Sequence, residues 1–194
     1  MKNRGKQERS RDTITTLLEA ATQVLIEQGY ERATTNRIAE RSGFSVGTLY
    51  QYFENKEDLF EELVTLELQR IVGAVEQCEP CSTLDGTVAK VLAEANAALS
   101  KHPGETQALA PLLAGPFSEQ LQRSRERVIT AMSVLLTAHR NEIQAPDMAM
   151  AARVVVNTAE GFAMSASPEH FPPTDMEQQL VRLILAYLTA PQNP

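Results

Sequence analysis

Residues 34–56 read TTNRIAERSGFSVGTLYQYFENK, and the reading of this stretch decides the fold. The Thr34 hydroxyl can accept from the free amides of a helix start, after which Ile38 and Ala39 face inward. Ser42-Gly43-Phe44-Ser45 then interrupts the pattern: Gly43 permits a tight turn, Phe44 supplies a core anchor and Ser45 can cap the next helix. That second, short helix is expected over Val46 to Tyr52, roughly 10 Å long at about 1.5 Å per residue, with Leu49 and Phe53 turned inward. A helix, a four-residue turn and a second helix packed across it form a helix-turn-helix, whose second helix enters a major groove by its N-terminal end.

On that expectation Val46, Gly47 and Thr48 lead the reading helix. Val46 can touch a thymine methyl, Gly47 admits close backbone approach, and Thr48 can bond a base or a phosphate facing the positive helix end. Thr35, Tyr50, Tyr52 and Lys56 offer donors to the flanking phosphates, where contacts fix register without reading sequence. Tyr50 and Tyr52 are two positions apart and cannot share a helical face, so at least one points outward. Phe44, Phe53 and Tyr30 are expected in the core, and Lys56 reads equally as a solvated first-turn lysine.

Outward from this stretch nearly every segment repeats with a period near 3.6, and none alternates apolar and polar residues for long, so the chain is expected to be all-α. A first helix begins near Asp12, aligns Ile14, Leu17, Leu18, Ala21, Leu25 and Gln28, and stops at Gly29. Asn55 caps a long helix reaching about Cys78, with Glu57, Asp58, Glu61 and Glu62 near its positive end. Further helices are expected over Val88–Leu99, near Gln107–Leu113 and over Ser118–Arg140. Asp147 starts another, aligning Met148, Ala152, Val155, Ala159, Phe162 and Ala163; a Thr174/Glu177 capping box starts the last, aligning Met176, Leu180, Leu183, Ile184 and Tyr187. Helices near 147–166 and 175–190 can supply half of an intermolecular four-helix bundle, or their faces can close the chain's own core.

With 194 residues and 43% hydrophobic content the chain can bury a sizeable core. Its net charge of −7 opposes nucleic-acid binding until it is divided. Residues 1–53 carry eight Lys/Arg against six Asp/Glu, net +2, and the remainder is net −9. Residues 1–11 form a basic arm that either lies along phosphates or a minor groove or is a solvated terminus. The organisation expected is therefore the arm at 1–11, a DNA-binding domain at 12–55 and a larger helical domain at 56–194.

Cys78 and Cys81 have zinc-like or redox-like spacing, but a second cysteine pair is lacking and His102, His139 and His170 show no ligand spacing, so ordinary loop cysteines and no metal or cofactor are expected. No Ser-His-Asp, Cys-His or phosphate-cradling glycine loop stands out, which argues against an enzyme. No window approaches the roughly 18 apolar residues of a membrane helix, and the charged start leads into no signal sequence, so a cytoplasmic location is expected.

Gly29-Tyr30, Thr34-Thr35, Ile38-Ala39, Gly43, Gly47-Thr48-Leu49-Tyr50, Tyr52-Phe53 and Asn55-Lys56 together resemble, in order and spacing, the DNA-binding domain of the TetR family of transcriptional regulators. The resemblance covers about the first 65 residues; the rest agrees in length and helical character. It implies a phosphate contact from Thr35, base reading from Asn36 and Arg37, a recognition helix led by Ser45, Val46, Gly47 and Thr48, and a phosphate clamp from Tyr50, Tyr52 and Lys56. It further implies a homodimer on double-stranded operator DNA and release by a small-molecule effector held in the C-terminal ligand-binding and dimerisation domain. Activation of transcription and ligand-independent, architectural DNA binding are the alternatives. The apolar composition of the C-terminal half suits an apolar effector as well as a plain core, and its net −9 favours neutral or cationic ligands.

Overall fold

The computed structural model describes residues 2–99, 104–165 and 173–191. Among the described residues the chain is helical, with no strand: α1 Lys2–Gln28, a 3-10 turn Tyr30–Arg32, α2 Thr35–Ser42, α3 Val46–Leu49, α4 Lys56–Glu76, α5 Leu84–Leu99, α6 Glu105–Ala114, α7 Ser118–Thr137, α8 Met148–Ser165 and α9 Pro173–Thr189. They form two compact units, Met1–Leu66 with His102–Ser118 and Glu67–Lys101 with Glu119–Pro194.

In the first unit α1 starts at Lys2, not near Asp12, so the segment expected as a separate arm continues the helix. The physical reason is local: the segment is rich in Lys, Arg, Gln and Glu, which favour helix. Thr13 and Thr16 donate back to the carbonyls of Arg9 and Asp12 at 2.8 and 2.9 Å, inside an unbroken helix. Gly29, at φ 73°, ends the run. α1 buries Leu17, Leu18, Ala20, Ala21, Val24 and Leu25, a broader stripe than the one read from sequence.

The turn chemistry behaves as the residue types dictate. Thr34 Oγ1 accepts from the Arg37 amide at 3.4 Å, Gly43 takes the left-handed conformation at φ 75°, and Ser45 Oγ accepts from the Thr48 amide at 3.0 Å. α3 is shorter than the expected Val46–Tyr52, closing at Leu49. Beyond it the Gln51 and Tyr52 amides turn to the Thr48 and Leu49 carbonyls at 3.1 and 3.0 Å, the tightened bonding of a helix end. Ile38, Leu49, Phe53, Leu59 and Phe60 fill the core. Phe44 is only half-buried, contrary to expectation, because Ile38 and Leu49 on either side of the turn already occupy the inward positions.

In the second unit α5, α7, α8 and α9 enclose a core that includes Val88, Val91, Met132, Leu136, Ala152, Val155, Ile184 and Leu188. α7 stops at Thr137 and the chain turns through His139, whose amide bonds to Leu136 O at 3.0 Å, so the expected extension to Arg140 is absent. Asp147 caps α8 as its residue type requires, with Oδ1 accepting from Ala149 and Met150 at 2.8 and 3.2 Å. The Thr174 side of the expected capping box lies outside the residues whose side chains are described.

The apolar faces of α8 and α9 expected for intermolecular contact are largely spent inside the unit. Ala152, Val155, Leu180 and Ile184 are core residues, with Met148, Ala159, Phe162 and Tyr187 packed against them. The outer side instead presents Met150 and Leu183, 56% and 50% exposed. Bidentate pairs Arg125–Glu160 and Arg153–Glu126 join α7 to α8, and Arg127–Glu76 joins α7 to the end of α4.

Candidate nucleic-acid interface

Two hydroxyls from different elements converge on the surface of the first unit. Thr35 stands at the first position of α2 and Tyr50 just beyond α3, and Thr35 Oγ1 lies 3.2 Å from Tyr50 OH. Tyr50 is 52% exposed despite its ring, and the half-buried Tyr52 turns elsewhere, as two-residue spacing demands. A second pair, Ser45 Oγ and Thr48 Oγ1, lies 2.9 Å apart at the start of α3. Gly47 is exposed, and a methyl group placed on it would meet only Ser45 Oγ, at 3.7 Å. Nothing inside the chain therefore requires glycine there. Val46 is half-buried and Asn36 exposed on the first turn of α2.

Arg37 and Lys56 are held differently from the other expected contacts. Arg37 Nη1 donates to Gln28 Oε1 at 2.5 Å and to Arg32 O at 2.8 Å, fastening α2 to the end of α1. Lys56 Nζ donates to Tyr30 O at 2.7 Å and sits 3.9 Å from the centre of the Tyr30 ring. The structure thus gathers Thr35, Ser45, Thr48 and Tyr50 into hydroxyl pairs and gives Arg37 and Lys56 internal partners.

Sequence reasoning missed Arg41, which makes a two-pronged pair with Glu27 at 2.7 and 2.5 Å and donates a third bond to Gln23 Oε1 at 3.2 Å. The Arg41 hydrogen bonds hold the Glu27 carboxyl below the usual carboxylate range, and Glu27 in turn raises Arg41. Only the acid-then-base pairing fourteen residues apart could have signalled it, and that distance carries no periodic rule.

The cysteines sit after α4. Cys78 is buried, and burial, reinforced by the neighbouring Glu94 carboxylate, pushes its thiol up to about 11. Cys81 is partly exposed, its amide held by Thr87 Oγ1 at 2.8 Å. His139 is also buried, between Thr87 Oγ1 at 2.7 Å and Glu142 Oε1 at 2.9 Å. Among the described residues no cluster of three His, Cys, Asp or Glu side chains could hold a metal, and no helix is long and apolar enough to cross a membrane. A surface groove of about 460 Å³ in the second unit is lined by the apolar Val75, Ala131, Val134 and Leu135, with the Glu76–Arg127 pair along it.

Comparison with known proteins places this geometry. Residues 17–63 match the profile described as bacterial regulatory proteins, tetR family, and residues 83–188 match the tetracyclin repressor-like C-terminal domain. The fatty acid metabolism regulator protein of Bacillus subtilis is 33% identical over 61 residues, 31% of either chain. The nucleoid occlusion factor SlmA of Actinobacillus pleuropneumoniae is 34% identical over 84 residues, 43% of this chain and 42% of its own. These matches thus span well under half of the relatives' length. Similar folds include the fatty acid degradation regulator FadR of Bacillus halodurans, with TM-score 0.75 and 20% identity over 89% of this chain and 94% of that one. FadR of Bacillus subtilis in complex with stearoyl-CoA has TM-score 0.75 and 18% identity over 90% and 98%. NalD of Pseudomonas aeruginosa, a repressor of a multidrug efflux pump, has TM-score 0.71 and 20% identity over 93% and 98%. The two profiles together span most of the chain, the first of them over the helix-turn-helix that carries the paired hydroxyls: the chain belongs to the TetR family of bacterial regulatory proteins.

Proposed function

We propose that the protein is a repressor that binds a palindromic operator as a homodimer and leaves it when a small molecule binds the second unit. The observation that carries the DNA contact is the Thr35–Tyr50 hydroxyl pair, 3.2 Å apart and exposed, which offers two donors to one phosphate oxygen. Ser45, Val46, Gly47 and Thr48 enter the major groove, with Gly47 allowing the backbone to approach and Val46 meeting a thymine methyl. Asn36 reads a base edge and Tyr52 adds a backbone contact. Arg37, the other base reader that the resemblance implies, also bonds to Gln28 and Arg32 and so holds α2 against the end of α1.

Two such heads related by a two-fold axis would read half-sites about 34 Å apart or somewhat more. The dimer forms on the outer side of α8 and α9, where Met150 and Leu183 stand exposed. α4 begins in the first unit and ends in the second, and it carries the effector's signal as a lever. The effector must prefer the non-binding conformer, since equal affinity for both shifts nothing. A neutral apolar ligand suits the apolar lining of the groove and the net −9 of residues 54–194 better than a polyanion. Stearoyl-CoA, held by the Bacillus subtilis neighbour, is the comparator.

Selection from random double-stranded DNA, followed by a release screen of apolar metabolites, drugs and acyl thioesters on the winning site, tests this reading. A two-fold symmetric site released by one ligand class is expected. Sequence-indifferent binding at low salt would support the architectural alternative.

A further inference from the structure

We infer that Tyr30 is the fulcrum of the reading head and that Lys56 acts on DNA binding through Tyr30, as a positioning residue, instead of through a phosphate. This rests on the DNA-binding surface proposed above.

Three contacts and a neighbouring carboxylate meet at Tyr30. The Lys56 ammonium lies 3.9 Å from the ring centre and donates to the Tyr30 carbonyl at 2.7 Å. The ring packs against the fully buried Phe60, centres 5.1 Å apart and planes at 75°. Burial, with the Glu57 and Glu31 carboxylates nearby, raises the pKa of the phenol. Lys56, Glu57 and Phe60 all lie on the first two turns of α4, so Tyr30 packs against the start of that helix. Tyr30 itself is fixed to the end of α1 by Gly29, at positive φ, and by the Ala33 amide, which donates to Gly29 O and Tyr30 O at 3.1 and 3.2 Å.

No slack separates this anchor from the reading helix. The Asp58 amide donates to Asn55 Oδ1 at 2.8 Å and the Glu54 amide to Asp58 Oδ2 at 2.9 Å, locking the two-residue link between Phe53 and Lys56. The Phe53 amide is bound at 3.1 Å to the carbonyl of Leu49, the last residue of α3. Moving the start of α4 relative to Tyr30 therefore moves Tyr50 and the end of α3. A lysine spent on a cation–π contact and a carbonyl is desolvated on the ring side, which distinguishes it from a first-turn lysine in water.

The experiment compares full-length wild type with Lys56→Met, Tyr30→Leu and the double variant on the selected operator, measuring affinity across a salt series at a temperature where all are folded. Each single change is expected to weaken binding by roughly tenfold, the double to be no weaker than the worse single, and the slope of log K against log salt to stay that of wild type. A slope reduced by about one in Lys56→Met, with effects that add, would overturn the inference and make Lys56 a phosphate ligand. If Tyr30→Leu does not fold, Lys56→Arg replaces it: Arg can stack on the ring, so restored affinity with the wild-type slope supports the fulcrum, and no rescue contradicts it. Amide hydrogen exchange in the free protein gives a reading independent of DNA. Faster exchange over residues 49–53 in Lys56→Met is expected, and unchanged exchange there counts against the inference. Failure of wild type itself to select a sequence would sink the DNA-surface proposal and leave the exchange result as the judge of the fulcrum.

Discussion

The hydroxyl oxygens of Thr35 and Tyr50 lie 3.2 Å apart although the residues belong to different elements and are fifteen positions apart. Each can rotate its proton outward, so the pair can serve one anionic oxygen without bringing a charge of its own. Tyr50→Phe and Thr35→Val should each weaken operator binding by roughly tenfold on every sequence, about 1.4 kcal/mol, with melting temperature preserved. Because neither hydroxyl displaces a counterion, the salt slope should stay constant in both variants. Anisotropy titrations at several salt concentrations check both points.

Gly47 makes a sharper steric statement. The open space around it means Gly47→Ala should leave the fold intact, since the new methyl would meet only Ser45 Oγ at 3.7 Å. If the backbone at this point lies against DNA, the same change should lower affinity at least several-fold. Circular dichroism beside a binding curve separates the two effects, and a folded variant binding as wild type does would move the groove contact away from Gly47.

The paired carboxylates give a pH dependence with a definite sign. Hydrogen bonds from Arg41 and Arg153 hold Glu27 and Glu126 below their ordinary value of 4.5. Stability from each pair is therefore complete above the ordinary value and fades as pH falls through the lowered one. Both carboxylates are solvent-accessible, so each contribution is small. Glu27→Gln should lower the melting temperature at pH 7 and make it less sensitive to acid than wild type; equal acid sensitivity would show that the Arg41 pair carries nothing.

The two thiols should label at different rates. With its thiol pushed up to about 11 by burial and Glu94, Cys78 stays protonated at neutral pH and reacts with iodoacetamide only on unfolding. Cys81, partly exposed, should react in the native state. Mass spectrometry after timed alkylation checks this, and simultaneous labelling would contradict it.

Assembly can be tested on the outer side of α8 and α9. Met150→Glu with Leu183→Glu should shift the protein from dimer to folded monomer and abolish operator binding. Ala152→Glu places an unpaired charge at a fully buried position, and should unfold the second unit instead. Size-exclusion chromatography with light scattering distinguishes the outcomes.

The parts of this structure legible in the sequence are those governed by short spacing. Thr34, Ser45, Asn55 and Asp147 cap helices because a side-chain oxygen reaches an amide two or three residues ahead, and Gly29 and Gly43 mark the turns that need positive φ. The bonds that separate contact from brace were not legible. Arg41 reaches Glu27 across fourteen residues and Lys56 reaches Tyr30 across twenty-six, separations set by how α1, α2 and α4 pack and by no periodicity. The stripes on α8 and α9 were ambiguous for another reason: a core inside one chain and a bundle between two chains ask for the same apolar spacing, and only burial shows that Ala152 and Val155 serve the first.

The central claim is that the exposed hydroxyl pair and the start of α3 read an operator. Selection of wild type and Tyr50→Phe from one random DNA pool, with affinities measured on the enriched site, tests it most directly. The predicted result is one two-fold symmetric site enriched by both proteins and bound roughly tenfold more weakly by the variant. Enrichment of no site by wild type, or a variant that binds the site as tightly as wild type, would contradict it.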